Sequence, residues 1–497
     1  MSIHRIALKS SVAAAALLCA GIVPALAADE DAVETVVVTA QKVEQDIQRI
    51  PLAVTAFSAQ DLEKSHIESL TDVALRTPGF TATAFTPAEP NLTIRGIGSA
   101  EGVSQNAGGD PSVVLYMDGV YLGRGGIADI DAYNLERIEI LRGPQGTLYG
   151  KNATGGLVNF ITKKADNETY VHASATVGNY NLISGNAQVN VPLSDNLFFA
   201  GGVSSKNRSG YEYNETTGNR VNDEHVSTVQ GQFRFVPSND LEFVLAADYT
   251  HQDQKGNPRH NICDASVAGG AHCVGVNPDP RVVDAYTDGY LRRDLADVRF
   301  EANWTTSIGT ITSITAYRDT RLGTLTPFFS NPVNPPNQIE STEIDAEKNK
   351  QVSEELRLAF DGLDDRLNGV AGFYFLHEDN NRTETLIQDF PAPSISGTAA
   401  YPQALSARSV AIFGQANYKI LESFTATFGA RMTWENKDGE FAGYLVSGPV
   451  PGALPPPLVA DYDVAASQSW SAFTPKAALN YQITDDAMVY FSASRGF

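Results

Sequence analysis

Beginning near residue 170, apolar and polar residues alternate one for one, in segment after segment, to the end of the chain. In Asn186-Ala187-Gln188-Val189-Asn190-Val191 every second residue is apolar. Val229, Phe233 and Phe235 alternate with Gln230, Gln232 and Arg234. Val298, Phe300, Ala302 and Trp304 fall on one side of a strand, with Asp297, Arg299, Glu301 and Asn303 on the other. Phe424, Ala426, Phe428, Ala430, Met432 and Trp434 repeat the pattern. Successive side chains of a strand point to opposite faces, so each segment reads as a two-faced strand. Such segments reach about 10 residues or more, the length a tilted membrane strand needs; strands of soluble sandwiches run to about 5–6. The period predicts a mainly β chain whose larger part is a transmembrane antiparallel β-barrel.

The connections give the strands a direction. Tight turns rich in Asp, Asn, Ser or Gly fall at 194–196, 237–240, 362–365, 421–423 and 484–486. Long loops are expected between them, at 208–224, 252–294, 322–349, 380–406 and 437–468. Short and long alternate, as periplasmic turns and extracellular loops do in outer-membrane barrels. The pattern amounts to about 13 strands, an odd number where single-chain bacterial barrels have an even one. The last segment, Met488 to Phe497, follows a short turn and should run outward. An open edge in lipid strands backbone groups at several kcal/mol each. The expectation is an incomplete barrel, a chain cut short at its C-terminal side; the alternative is a count off by one.

The N-terminus sets the compartment. His4, Arg5 and Lys9 precede an apolar run of small residues, and Ala25-Leu26-Ala27-Ala28 offers a cleavage site before Asp29, Glu30 and Asp31. Residues 1–28 therefore read as a secretory signal peptide. The apolar core is shorter than the roughly 20 residues of a spanning helix. Cys19 follows a large Leu18, which argues against a lipoprotein anchor. A net charge of −22 argues against a nucleic-acid partner. After the signal only Cys263 and Cys273 remain, in a Gly/Asn/Pro-rich stretch. An oxidising envelope favours a local disulfide; His260 and His272 nearby keep a metal or haem site as the alternative.

Residues 29–47 read as an extended arm and 48–165 as a compact α+β domain, followed by the barrel part at 166–497. In the α+β domain, residues 51–65 predict a strand and then a helix N-capped by Ser58. Leu70 to Leu75 predicts a second helix, and Asn91–Gly96, Val113–Tyr121, Leu135–Pro144 and Gly155–Thr162 predict strands and their turns. Gly143, Gly146, Gly150, Gly155 and Gly156 suit turns and close backbone approach, and no phosphate-loop spacing is present.

Several of these stretches are similar to a known family. RIEILRGPQGTLYGKNATGGLVNFITKKA (137–165) resembles the end of the plug domain of TonB-dependent receptors, and NLTIRGIG and VVLYMDGVYL resemble other fixed points of that domain. ETVVVTAQK (34–42) resembles the TonB box, and VYFSASRGF an interior barrel strand. The resemblance covers essentially the whole mature chain. It implies a plug inside a 22-stranded barrel, of which about nine strands would be missing.

The resemblance further implies that Glu34, Thr35, Val36, Val37, Val38, Thr39 and Ala40 pair edge-on with a strand of TonB, driven by the ExbB–ExbD motor. The plug charges Arg95, Glu136, Arg137, Glu139 and Arg142 should pair with wall residues such as Glu355, Arg357 and Arg431, either as releasable latches or as static seats. Ser99, Glu101, Ser104, Gln105, Asn106 and Asp110, in a Gly-rich loop, are candidates for reaching ligand, as is the Cys263–Cys273 loop. The implied activity is energy-dependent import of a scarce nutrient: a ferric siderophore or other iron complex by default, with cobalamin, oligosaccharide or aromatic ligands as alternatives. A passive porin or adhesin is a different class that a plug argues against. No H-E-x-x-H, G-x-S-x-G or Cys-x-x-Cys pattern indicates an enzyme, and no cofactor is called for. The expected setting is a monomer among outer-membrane lipid and lipopolysaccharide of a Gram-negative bacterium.

Overall fold

A computed structural model describes residues 37–86, 89–98, 106–124, 126–127, 130, 133–260, 277–330, 340–364, 366–390, 395–447, 461–484 and 487–497. The signal peptide, Glu34, Thr35, Val36, Ser99, Glu101, Ser104, Gln105, Cys263 and Cys273 lie outside the described residues.

The described residues open with two short paired strands, β1 (Val37–Val38) and β2 (Gln45–Asp46). The α+β domain follows. Its helices α1 (Ala59–Lys64) and α2 (Leu70–Arg76) each start at a serine, Ser58 and Ser69, that forms a reciprocal capping box with Asp61 and Asp72. Its strands are β3 (Ala53–Ser58), β4 (Phe80–Thr86), β5 (Glu89–Ile94), β6 (Ile97–Gly98), β7 (Val113–Met117), β8 (Val120–Tyr121), β9 (Leu135–Arg142) and β10 (Gly156–Thr162). A short helix, α3 (Gly146–Tyr149), sits between the last two. Five strands form one sheet in the order β3-β9-β10-β7-β8, with β7 and β10 parallel.

The central strands β7 and β10 of that sheet are buried on both faces, in keeping with their largely apolar sequences. Val113 and Leu115 pack with Val73, Phe80, Ile94, Ile138, Ile140 and Phe160 on the helix side. Val114 and Tyr116 point the other way, joining Val38, Leu141, Tyr149 and Leu157 in a second cluster. Val370, Tyr374, Leu376, Ala411 and Phe413 belong to that second cluster and come from the later strands, so the domain's core is completed by the wall.

The wall is a thirteen-stranded antiparallel sheet. Its strands are β11 (Tyr170–Gly178), β12 (Leu182–Ser194), β13 (Leu197–Arg208), β16 (Glu224–Ser238), β17 (Leu241–Lys255), β19 (Tyr290–Thr306), β20 (Gly309–Ser330), β21 (Glu340–Gly362), β22 (Leu367–Phe390), β23 (Ile395–Leu421), β24 (Phe424–Ser447), β25 (Tyr462–Thr484) and β26 (Ala487–Ser494). Short β14 (Glu212–Asn214), β15 (Asn219–Val221) and β18 (Val282–Val283) form a separate small sheet. Every consecutive pair of wall strands is hydrogen-bonded, and among the described residues β11 and β26 do not pair with each other.

Burial in the wall is inverted relative to a soluble sheet. Phe233 is 46 % and Phe300 42 % exposed, while their polar neighbours Gln232 and Arg299 are buried. The apolar side faces outward and the polar side faces the α+β domain, as in a lipid-embedded barrel. Wall residues from β13 to β26 touch the domain, from the Glu68–Lys206 pair to the bond from Ser494 Oγ to the Pro144 carbonyl, so the sheet curves around it.

Two expectations need correcting. The predicted long loops at 322–349, 380–406 and 437–468 are largely strand: ladders continue to Ser330, Phe390 and Ser447 and resume at Glu340, Ile395 and Tyr462, whereas between Lys255 and Tyr290 the wall ladder is interrupted. In these segments the inward face is buried yet carries polar groups such as Asp345, Glu347, Asn349, Asn380 and Arg382, so the apolar/polar alternation fades while the backbone ladder persists. The final strand also ends at Ser494 instead of running through Phe497, whose carbonyl accepts the Asn152 N–H at 2.8 Å.

Candidate functional site

The arm does not lie extended. Val37 and Val38 pair with Asp46 and Gln45, the backbone turns over residues 40–43, and Val38 and Ala40 are fully buried in the second apolar cluster. The tip is held by an acid. Glu139, fully buried on β9, accepts the Thr39 N–H at 2.7 Å and the Thr39 hydroxyl at 3.1 Å. Arg137 donates to the same carboxylate at 2.8 Å and also pairs with the exposed Glu136. Three residues after Thr39, Lys42 crosses to the wall and meets Glu355 at 2.6 Å, both side chains being buried. Its ammonium also lies over the rings of Tyr149 and Phe413 at 5.0 and 5.7 Å. Burial pushes the Lys42 pKa down to about 8, against the opposing pull of Glu355.

Beside Lys42 sits a cation of the wall itself. Arg431 lies over Tyr374 and Phe413 at 5.3 and 5.4 Å and donates to the Thr433 hydroxyl. Gly150 ends α3 at φ 86°, and a Cβ there would stand 2.7 Å from the Arg431 guanidinium. The backbone conformation and the close approach both call for glycine.

Higher on the same seam, Lys151 bonds Glu435 at 3.0 Å and lies 3.7 Å from Asp110. Burial lowers the Lys151 pKa, but Asp110 and Glu435 outweigh it and hold the ammonium above its ordinary range. Burial would raise the Asp110 carboxyl; Lys151 and Lys437 beside it pull it below its ordinary value instead. Further round the wall, Asp118 pairs with Arg299, and Lys164 bridges Glu242 and Glu301 at 3.0 Å each. The seam between domain and wall is thus a ring of cross-element ion pairs set in a low-dielectric interface.

Of the charges named from the sequence, Glu355 takes part in a pair across the seam, but its partner is Lys42 and not one of the named plug charges. Among the described residues, none of Arg95, Glu136, Arg137, Glu139 and Arg142 forms an ion pair with Glu355, Arg357 or Arg431. Arg137 and Glu139 are neighbours on one face of β9 and satisfy each other and the arm. Glu355 is taken by Lys42 and by Arg357 on its own strand, at 2.8 Å. Arg142 donates to the Pro78 carbonyl at 3.3 Å, and Arg95 is exposed at a turn with φ 52°. The cations that do cross, Lys42, Lys151 and Lys164, were missed; Lys42 and Lys151 stand inside the recognised motifs, which was the available signal. Of the proposed ligand loop, Asn106 and Asp110 are described. The Asn106 carbonyl accepts from Arg124, and Asp110 pairs with Lys437.

With this geometry in view, comparison with known proteins is informative. A family model for the TonB-dependent receptor plug domain matches residues 46–157, and one for the TonB-dependent receptor-like β-barrel matches residues 264–497. An iron-regulated outer membrane virulence protein of Vibrio cholerae is 28 % identical over 283 residues, covering 54 % of this chain and 40 % of that protein. A vitamin B12 transporter of Vibrio vulnificus is 31 % identical over 196 residues, covering 38 % of this chain and 29 % of that one. The crystal structure of the ferric yersiniabactin uptake receptor of Yersinia pestis superposes with a TM-score of 0.72 at 19 % identity, over 88 % of this chain and 63 % of that one. The match to the Vibrio cholerae protein thus spans about 40 % of that relative's length.

Proposed function

Since the chain belongs to the TonB-dependent receptors of the Gram-negative outer membrane, we propose that it takes part in TonB-dependent import of a ferric siderophore or other iron complex. The observation that carries the proposal is the docked arm. A strand-forming segment, Val37 to Ala40, is clipped to the plug through Thr39 and Glu139, and Lys42 ties its far side to the wall. Such a segment suits capture by edge-on strand pairing, and a pull on it would load the plug directly. On this reading Glu34 to Ala40 bind TonB, the ExbB–ExbD motor supplies the force, and no catalytic step is involved. Residues 1–28 direct export, the Ser99–Asp110 and Cys263–Cys273 loops reach toward ligand, and the receptor works as a monomer among lipid and lipopolysaccharide. The iron assignment is supported by relatives whose names state iron regulation and ferric-yersiniabactin uptake.

The test is uptake of radio-iron siderophores by iron-starved cells expressing the receptor, with and without TonB. Uptake that needs TonB and fails in Val38→Pro supports the reading; uptake unaffected by TonB loss marks a passive pore and overturns it. The vitamin B12 transporter of Vibrio vulnificus favours cobalamin as a second ligand class. Labelled cobalamin in the same assay decides between them.

A further inference from the structure

Where the plug segment Tyr121-Leu122-Gly123 meets β21 and β22, four wall residues form a two-by-two patch. Asn349 stands opposite Asn380, and Gln351 opposite Glu378. All four face the plug and are at least nine-tenths buried. Residues directly opposed on neighbouring strands have Cβ atoms about 5 Å apart, so their head groups share one small region.

The amides are oriented by their own donors. Asn349 Nδ2 donates to Glu378 Oε1 at 2.6 Å, Gln351 Nε2 to the Tyr121 carbonyl at 2.7 Å, and Asn380 Nδ2 to the Ala107 carbonyl at 3.3 Å. Turning any of them over would set oxygen against oxygen. The three amide oxygens that result, Asn349 Oδ1, Gln351 Oε1 and Asn380 Oδ1, have no hydrogen-bond donor among the described residues, and neither does Glu347 Oε1 one step along β21. The nearby cations are engaged elsewhere: Arg124 donates to the Asn106, Ala107 and Gly109 carbonyls, and Lys151 to Glu435. Over the patch lies Gly123. A Cβ there would stand 2.7 Å from Gln351 Oε1 and 3.5 Å from Glu378 Oε1, so only glycine leaves the space between plug and wall open.

Buried oxygens without donors are costly, and a set of carboxylate and amide oxygens is the ligand chemistry of hard cations. We propose that this patch binds one hard cation between the plug and the wall, held by Glu378, Asn349, Gln351 and Asn380. Charge selects among such ions. Glu378 and Glu347 carry two negative charges, and Arg124, 3.7 Å from Glu347, offsets one. A monovalent ion neutralises the remainder, whereas a divalent one leaves a net positive charge in a buried seam. Sodium is therefore the expected occupant. Its bonds tie β21 and β22 to the Tyr121–Gly123 segment and add to the ion pairs that seat the plug.

The test is thermal unfolding of the full chain in detergent at constant ionic strength, with NaCl, KCl, choline chloride or added CaCl2. A saturable rise in midpoint with sodium over choline is expected, lost in Glu378→Gln. Asn349→Asp adds one negative charge and should move the preference to calcium; it keeps the test decisive where Glu378→Gln does not fold. Equal midpoints in sodium, calcium and choline would mean that water fills the patch and would overturn the proposal. So would a cation effect unchanged in both variants, which would place the ion elsewhere, such as beside Glu343, Asp345 and Glu384.

Discussion

The Glu139 carboxylate reaches 100 residues back along the chain to take both the backbone N–H and the hydroxyl of Thr39. One buried acid thereby holds the tip of the arm and neutralises Arg137. Hydrogen bonds to a charged group contribute about 1.5–3 kcal/mol each. Glu139→Ala should therefore free the arm, while Thr39→Val, which keeps the N–H bond, should loosen it less. A spin label at the exposed Val37 checks this: sharp, mobile spectra are expected for Glu139→Ala. An unchanged spectrum would mean that apolar burial of Val38 and Ala40 alone docks the arm.

The Lys42–Glu355 pair invites a double-mutant cycle. Removing one member of a buried pair leaves an uncompensated charge, at a cost of about 3–5 kcal/mol. Glu355→Gln, which strands the Lys42 ammonium, should lower the thermal midpoint markedly; Lys42→Met should lower it less, because Arg357 still pairs with Glu355, and the double variant should recover part of the Glu355→Gln loss. Additive losses would show that the two side chains act independently.

Lys42 also predicts a pH dependence. Burial sets its pKa at about 8 when docked, against 10.5 for the ordinary side chain. Between those values the released arm binds more protons than the docked one, so docking strengthens as pH rises through that window and is flat below it. Arm mobility measured from pH 7 to 11 should fall with rising pH, and Lys42→Met should abolish the slope. A slope of opposite sign would show that the ion pair outweighs burial.

Asp110 behaves in the opposite sense. Its carboxyl is held below the ordinary 3.8 by Lys151 and Lys437 despite burial, so its contribution to seating the loop is complete above 3.8 and lost as pH falls through the lower docked value. Hydrogen exchange of residues 106–110 should stay protected down to pH 4 and rise below it. In Asp110→Asn, protection should be weaker at pH 7 and insensitive to acid.

Gly150→Ala should unseat α3. The Gly150 φ of 86° and ψ of −145° lie in a region essentially restricted to glycine, which costs another residue about 1–3 kcal/mol, and the new methyl would displace Arg431 from between two rings. Gly96→Ala is the control, because Gly96 has φ 77° but nothing within 4 Å of the added Cβ. The midpoint should fall further for Gly150→Ala; equal losses would mean that Arg431 moves aside freely.

Much of this was legible before any coordinates. The capping serine Ser58 and the strands of the plug follow from local chemistry, and the outward Phe233 and Trp304 follow from the alternation. The extended hairpins were not legible as strand, because their inward face is polar as well as their outward one, which leaves little apolar/polar alternation to read. The pairing of the plug charges was not legible either, since a charge's partner depends on which strand faces it.

What the amino-acid order determined alone is therefore what acts over a few residues: period, caps, turns, and the motifs of the plug. Those are set by side-chain direction and local hydrogen bonding, which need no knowledge of distant segments. Only the tertiary structure decided that the arm is docked, that Glu139 holds Thr39, and that Lys42 meets Glu355 across 313 positions. Strand register and the curvature of the wall bring those groups within bonding distance, and neither is written into the local pattern.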